Sequence, residues 1–153
     1  MEEIAMAYHF EFNSTLGILR GRLEGQITDE GLREFYRTAA EYVALLDPRA
    51  GVTDFSGVSS FDVSVQTIRG LAMSAPAMPK TSRPRVIVAS ASHIYGMARM
   101  FEEVGEATRP NLHVVRTTGE AWAILGVAAP GMPEPQFEPV RAALDSSNAD
   151  FSS

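Results

Sequence analysis

Serine, aspartate and histidine side chains gather in two short stretches of this chain, and their spacing decides what chemistry they offer. In the first, GVTDFSGVSSFDVSVQTIRG at 51–70, a short apolar run passes through Asp54, Ser56, Ser59, Ser60, Asp62 and Ser64 into an amphipathic pattern without a linker. In the second, Ser90, Ser92 and His93 stand at or just after the apolar run RVIVA at 85–89. Loops between strand and helix are where α/β proteins place function, so Asp54, Ser56, Asp62, Ser64, Ser92 and His93 are the candidate residues of one rim. A serine, a histidine and an acid are the ingredients of nucleophilic hydrolysis. No G-x-S-x-G elbow accompanies them, and helix starts collect serine and aspartate for capping alone; Ser92 itself reads as an N-cap. A serine hydrolase is therefore the remotest reading, the chain is not expected to be an enzyme, and no residue is assigned as catalytic.

Ser64 has two roles open to it. Standing just before an apolar-periodic stretch, its hydroxyl would accept a backbone N–H and contribute about 1 kcal/mol as a helix N-cap. A phosphate on the same oxygen would meet the positive end of the helix dipole, with the nearby Asp62 repelling it. Ser64 is accordingly both a cap and a phosphoacceptor candidate.

Metal and nucleotide chemistry find little here. His9, His93 and His113 are widely separated, with no H-x-x-x-H or H-E-x-x-H spacing, so no metal site is expected. Cysteine is absent, which removes disulfides, thiolate zinc sites, iron–sulfur ligation and cysteine nucleophiles together. GILRGRLEG at 17–25 is not G-x-G-x-x-G and no lysine follows it, so Gly17, Gly21 and Gly25 read as bend or bulge positions in a hairpin. No cofactor is expected.

The 153 residues, 45% of them hydrophobic, suit a single domain with a real core. A net charge of −6, with basic residues scattered singly and Lys80 as the sole lysine, offers no stripe to follow a phosphate backbone, and nucleic acid is not an expected partner. The opening MEEIAMAYHFEF holds two acids and no uninterrupted apolar run, which argues against a signal peptide and a membrane span and for a cytoplasmic protein.

Periodicity supplies the elements that must position these side chains. YHFEFN at 8–13 and ILRGRLE at 18–24 alternate apolar and polar residues around a turn, the pattern of an antiparallel hairpin. Thr28 offers an N-cap, Asp29 and Glu30 complement the helix dipole, and Leu32, Phe35, Tyr36, Ala39, Val43 and Leu46 recur at helical spacing until Asp47 and Pro48. A strand at 51–55 precedes a helix at 64–75 with Val65, Ile68, Leu71, Ala72 and Ala75 facing inward. The run at 85–89 reads as a strand covered on both faces, and 92–107 as a helix burying Ile94, Met97, Ala98, Phe101 and Val104. A strand at 112–115 and a short helix capped by Thr118, with Trp122 and Leu125 inward, close the domain.

The expected fold class is α/β, in the order ββαβαβαβα, with a mostly parallel sheet whose right-handed crossovers bring successive strand-to-helix turns to one rim. Residues 1–127 form the domain. Residues 128–153, rich in proline and acid and ending in small polar residues, read as a mobile tail with a brief helix at 140–144.

Three stretches carry a resemblance: VTDFSGVSSFDVSVQTIRGLA at 52–72, HIYGMARMFEE at 93–103 and GEAWAILG at 119–126. With the element order, they make residues 8–126 resemble the STAS (anti-sigma-factor antagonist) fold, and within it the small bacterial SpoIIAA-like proteins grouped with STAS/SEC14 domains. The resemblance implies a noncatalytic regulatory module that binds a protein partner or a second copy of itself. It places Ser64 on the phosphoacceptor position and Asp62 on the preceding acid, while Val63 and Val65 depart from the antagonist pattern. The related Sec14 architecture implies the alternative of a small apolar ligand or lipid carrier. Tyr95, Met97 and Met100 are the candidate interface residues, an adaptable apolar set suited to a partner helix or an acyl chain.

Overall fold

Alternation of apolar and polar side chains builds the first two strands, β1 (Ala7–Asn13) and β2 (Ile18–Thr28), which pair antiparallel from Ala7↔Glu24 to Asn13↔Ile18. The computed structural model describes residues 6–129 and 131–141. Gly17, at φ +71°, turns the hairpin, and Gly25, at φ +79°, sits at a shift in the register of β2 with the next strand, as bend and bulge glycines do. Gly21 differs from that expectation. It lies mid-strand opposite Phe10, and a Cβ there would stand 2.5 Å from the Phe35 ring, so hydrogen is the only side chain that lets the Phe10 and Phe35 rings stack at 4.9 Å.

Helix α1 (Asp29–Leu46) starts where the Thr28 hydroxyl accepts the Gly31 N–H and ends at Asp47 in a left-handed conformation. Strand β3 (Ala50–Asp62) follows, then α2 (Val65–Met73), β4 (Arg85–Val88), α3 (Ser92–Val104), β5 (Leu112–Val115), α4 (Thr118–Leu125) and a two-residue strand β6 (Glu138–Pro139). The sheet order is β5-β4-β3-β2-β1-β6, parallel from β2 to β5 and antiparallel at β1 and β6. The class is thus α/β with a mostly parallel sheet and an antiparallel amino-terminal hairpin, as its periodicity indicates. No described helix is long and apolar enough to cross a membrane.

Because β2 to β5 advance in one direction, right-handed crossovers put α1, α2 and α3 on the same face. There Leu23, Ile27, Leu32, Phe35, Ile87 and Phe101 form the main core. The opposite face is covered by α4, through Ala121 and Trp122 against Val52, Val86 and Val88.

Several local expectations shift. Residues 56–62, read as a polar loop, continue β3 and pair with β2 through Glu24↔Gly57, Gln26↔Ser60 and Thr28↔Asp62. A neighbouring strand long enough to pair with them overrides their serine-rich composition. The N-cap of α3 is Ala91, with no side-chain bond, and Ser92 is already helical; the N-cap of α4 is Thr117 rather than Thr118. Val65 and Val104 point to solvent, Ala75 lies beyond the end of α2, and Thr67 is buried instead.

The expected mobile tail also changes. Residues 131–141 return to the sheet: β6 pairs with β1, Val140 is 3% exposed, and Phe137 stacks on Trp122 at 5.7 Å. Arg20 fastens this segment, its guanidinium 4.2 Å from the Phe137 centroid, 2.9 Å from Glu11 and 3.9 Å from Glu134. Burial pushes the Glu11 carboxyl up, but Arg20 and Arg22 outweigh it and hold it below its ordinary 4.5. Most of the short helix expected at 140–144 lies outside the described residues.

Replacing Phe137→Ala should cost on the order of 2 kcal/mol, under the fully buried range because the ring is only partly buried. Trp122 is the only tryptophan, so its emission should shift to the red in that variant and stay unchanged in a surface control such as Gln136→Ala.

Candidate functional site

The carboxyl ends of the parallel strands carry the residues that the sequence singles out, and two of them, Asp54 and Ser64, have local partners. Asp54 is buried, and its carboxylate accepts the Ser56 N–H at 2.9 Å inside β3. Ser64 caps α2: its hydroxyl oxygen accepts the Thr67 N–H at 3.1 Å and its O–H donates to Thr67 Oγ1 at 3.0 Å. The Ser64 N–H in turn donates to Asp29 at 2.7 Å, and Thr67 Oγ1 accepts from Arg33. The bond from the Ser64 backbone holds the Asp29 carboxyl below its ordinary 3.8. A carboxylate therefore already occupies the place at the start of α2 where a phosphate on Ser64 would seek its donors.

Ser92, His93, Ser56 and Asp62 are exposed, and the His93 ring leans edge-on to Phe61 at 6.1 Å. Among the described residues no hydrogen bond joins His93 to a serine or to Asp54 or Asp62. No cluster of three or more metal-ligating side chains occurs among them either. The candidate interface residues are only partly exposed. Met97 and Met100 pack against the main core, and Tyr95 lies under the Arg116 guanidinium at 4.1 Å.

A concave surface lies at the other edge, over the amino ends of β3, β4 and β5. Between α1 and the sheet is an apolar cavity of about 90 Å³, walled by Phe10, Leu19, Phe35, Ile87 and Phe101 and closed by Ala77 and Met78. Outside it, between α1 and the segment after α2, runs an open groove of about 470 Å³. Tyr36, Ala77, Phe101 and Arg109 belong to both walls.

Chain geometry explains the opening. The backbone leaves β3 at Asp62 and re-enters beside Gly51, since β4 begins with the pair Gly51↔Arg85. That return is about 36 Å along the strand, and the nine residues of α2 cover only about 14 Å of it. Segment 74–84, broken by Pro76, Pro79 and Pro84, spans the rest and closes over the cavity with Met78, which is 6% exposed. It is clasped to the end of α1: Arg83 donates to Asp47 at 2.7 Å and to the Pro48 carbonyl at 2.6 Å, and Lys80 to Asp47 at 3.1 Å. Arg83 and Lys80 hold the Asp47 carboxyl below its ordinary 3.8.

Two arginines face the cavity. Arg109 is buried; it donates to the Leu71, Ala72 and Ser74 carbonyls at 3.1, 2.7 and 3.3 Å, satisfying the carboxyl end of α2, and its guanidinium lies 4.8 Å from the Phe101 ring. Arg85 enters β4 and donates only to the Lys80 carbonyl, at 3.1 Å, among the described residues. Burial lowers both guanidinium groups, and the charge of Arg109 lowers Arg85 further; burial pushes the Tyr36 hydroxyl up to about 12, with Arg109 pulling the other way. In the sequence these arginines read as scattered single charges. The one signal was Arg85 itself, a charge opening an otherwise apolar buried run.

No family model matches the chain, and no curated protein matches it.

Two outcomes follow from this geometry. Ser64→Ala should cost about 1 kcal/mol, the usual value of an N-cap, measured by urea unfolding. Because the Asp47 carboxyl is lowered, its contribution is complete above pH 3.8 and is lost as the pH falls through its folded value. Asp47→Asn should therefore loosen the clasp already at neutral pH. Lys80 is the sole lysine, so a lysine-specific protease should cut segment 74–84 several-fold faster in that variant.

Proposed function

We propose that this protein is a noncatalytic, STAS-like binding module that holds a small ligand between α1 and segment 74–84. The observation that carries this reading is the apolar cavity of about 90 Å³ that shares the wall residues Tyr36, Ala77, Phe101 and Arg109 with a groove of about 470 Å³. The groove falls in the range of about 300–1,000 Å³ typical of small-molecule sites, and displacement of the shared wall would give an apolar group the cavity behind it. The segment that closes it has no regular secondary structure and is held by a few side-chain bonds near its ends, from Arg109 to Ser74 and from Lys80 and Arg83 to the end of α1, which suits a cover that opens for exchange. Of the readings the sequence raised, the small apolar ligand carrier gains most from this arrangement. A cytoplasmic setting is carried as part of the proposal.

A second reading, a module that binds a protein partner or a second copy, is favoured by the free edge of β3. Strand β4 pairs only with residues from Gly51 to Asp54, so beyond that point the described ladder lies on the β2 side alone. Such an edge can accept an added strand. Phosphorylation of Ser64 belongs to this second reading.

Native mass spectrometry of the full chain from its own host separates them. The carrier reading predicts a monomer with a small nonprotein mass that is lost in Met78→Trp, where the indole fills the cavity. A dimer without added mass would support the second reading, and an unmodified, ligand-free monomer would count against both.

A further inference from the structure

We propose that the ligand is a small carboxylic acid with a short apolar chain, its carboxylate held by the Arg85 guanidinium with the Arg109 charge nearby, and its chain against Phe10, Leu19 and Phe35. This rests on the cavity being a ligand site, and names the class of molecule it takes.

The first reason is an unmatched charge. Arg85 Nε is buried and without a hydrogen-bond partner, and among the described residues no carboxylate forms an ion pair with Arg85 or Arg109. Buried cations are ordinarily paired, because the lost hydration must be replaced. The back face of the same molecule obeys that rule. Arg20, which is buried as a whole where Arg85 is only partly so, and which likewise has an unpartnered Nε, has Glu11 at 2.9 Å and Glu134 at 3.9 Å. Arg109 is partly compensated by the α2 carbonyls, whereas Arg85 has one carbonyl and a neighbouring positive charge.

The second reason is where the charge gathers. On a chain of net charge −6, the groove collects Arg33, Arg37 and Arg109 against one acid, Glu30, and Arg85 stands in the cavity behind it. An acidic protein with a cationic cleft selects an anion.

Shape then narrows the anion. The guanidinium fork matches a planar carboxylate through paired N–H donors. The cavity is small, about 90 Å³, and its walls are mostly apolar, which disfavours a doubly charged phosphate that would have to shed its hydration there. A carboxylate with a few carbons fits that volume, and a longer chain can continue into the groove.

The test is calorimetric titration of the full chain with hexanoate, hexan-1-ol and inorganic phosphate, together with melting of the ligand-free protein. Hexanoate should bind at least ten-fold tighter than hexan-1-ol, and Arg85→Met should erase that ratio. Ligand-free Arg85→Met should also melt at a higher temperature, because it removes a partly buried charge that has no carboxylate partner and keeps an apolar stem of similar length. Arg85→Lys, which keeps the charge and loses the fork, should retain only part of the preference, and serves as the readout if the methionine variant fails to fold. Equal binding of hexanoate and hexan-1-ol would overturn the acid and leave the cavity standing. Binding of phosphate without hexanoate would overturn it in favour of a free inorganic anion. Binding of neither organic probe would remove the ligand site itself, and a lower melting temperature for ligand-free Arg85→Met would overturn the claim that its charge is unmatched.

Discussion

The parallel ladder from β2 to β5 is the constraint on which the other features depend. Each crossover must be right-handed and each new strand is added on the same side, so three helices have to share one face of the sheet. That face acquires the thick core around Phe35 and Phe101, while the other is left to a single short helix. The returning segment 131–141 covers part of what α4 cannot reach, and Arg20 holds it through Glu134 and Phe137 while resting against Glu11 and Trp122. Without that strap Trp122 would lose the Phe137 ring that covers it.

The same ladder produces the cleft. Strand β3 is long because β2 is long, and the helix that follows it is short, so the chain has to finish its return in extended form. A proline-broken segment is well suited to that, since it cannot add a competing turn of helix. It closes the amino edge of the sheet by inserting Met78 rather than by continuous packing, and a void remains between α1 and the strands. Two arginines border the void for different reasons. Arg109 is fixed by the carbonyls at the end of α2, and Arg85 is simply the first residue of β4.

Much of the architecture was legible in the residues. The hairpin, α1 with its Thr28 cap, the buried run of β4 and the α/β class all follow from period and capping chemistry, which act over a few residues. The extent of β3 was not legible, because SGVSSFD at 56–62 is strand only by virtue of the partner that β2 offers it. The cap positions at Ala91 and Thr117 each differ by one residue from expectation, the usual reach of a local signal. The orientation of Val65 depended on how α2 rolls against α3, and the docking of 131–141 depended on Arg20, more than a hundred residues earlier in the chain.

The site divides along the same line. The sequence by itself determined an acidic, cysteine-free α/β chain and the capping roles of Thr28 and Ser64, because composition and hydrogen bonds between near neighbours are written in adjacent residues. It drew attention to the carboxyl rim, where serines and acids cluster. Only the tertiary structure decided that Asp29 sits on the start of α2, and that Arg85 and Arg109 meet at the opposite edge beside an apolar void. Those are meetings of elements far apart in the chain, and they are set by the hand of the crossovers and the mismatch between a long strand and a short helix.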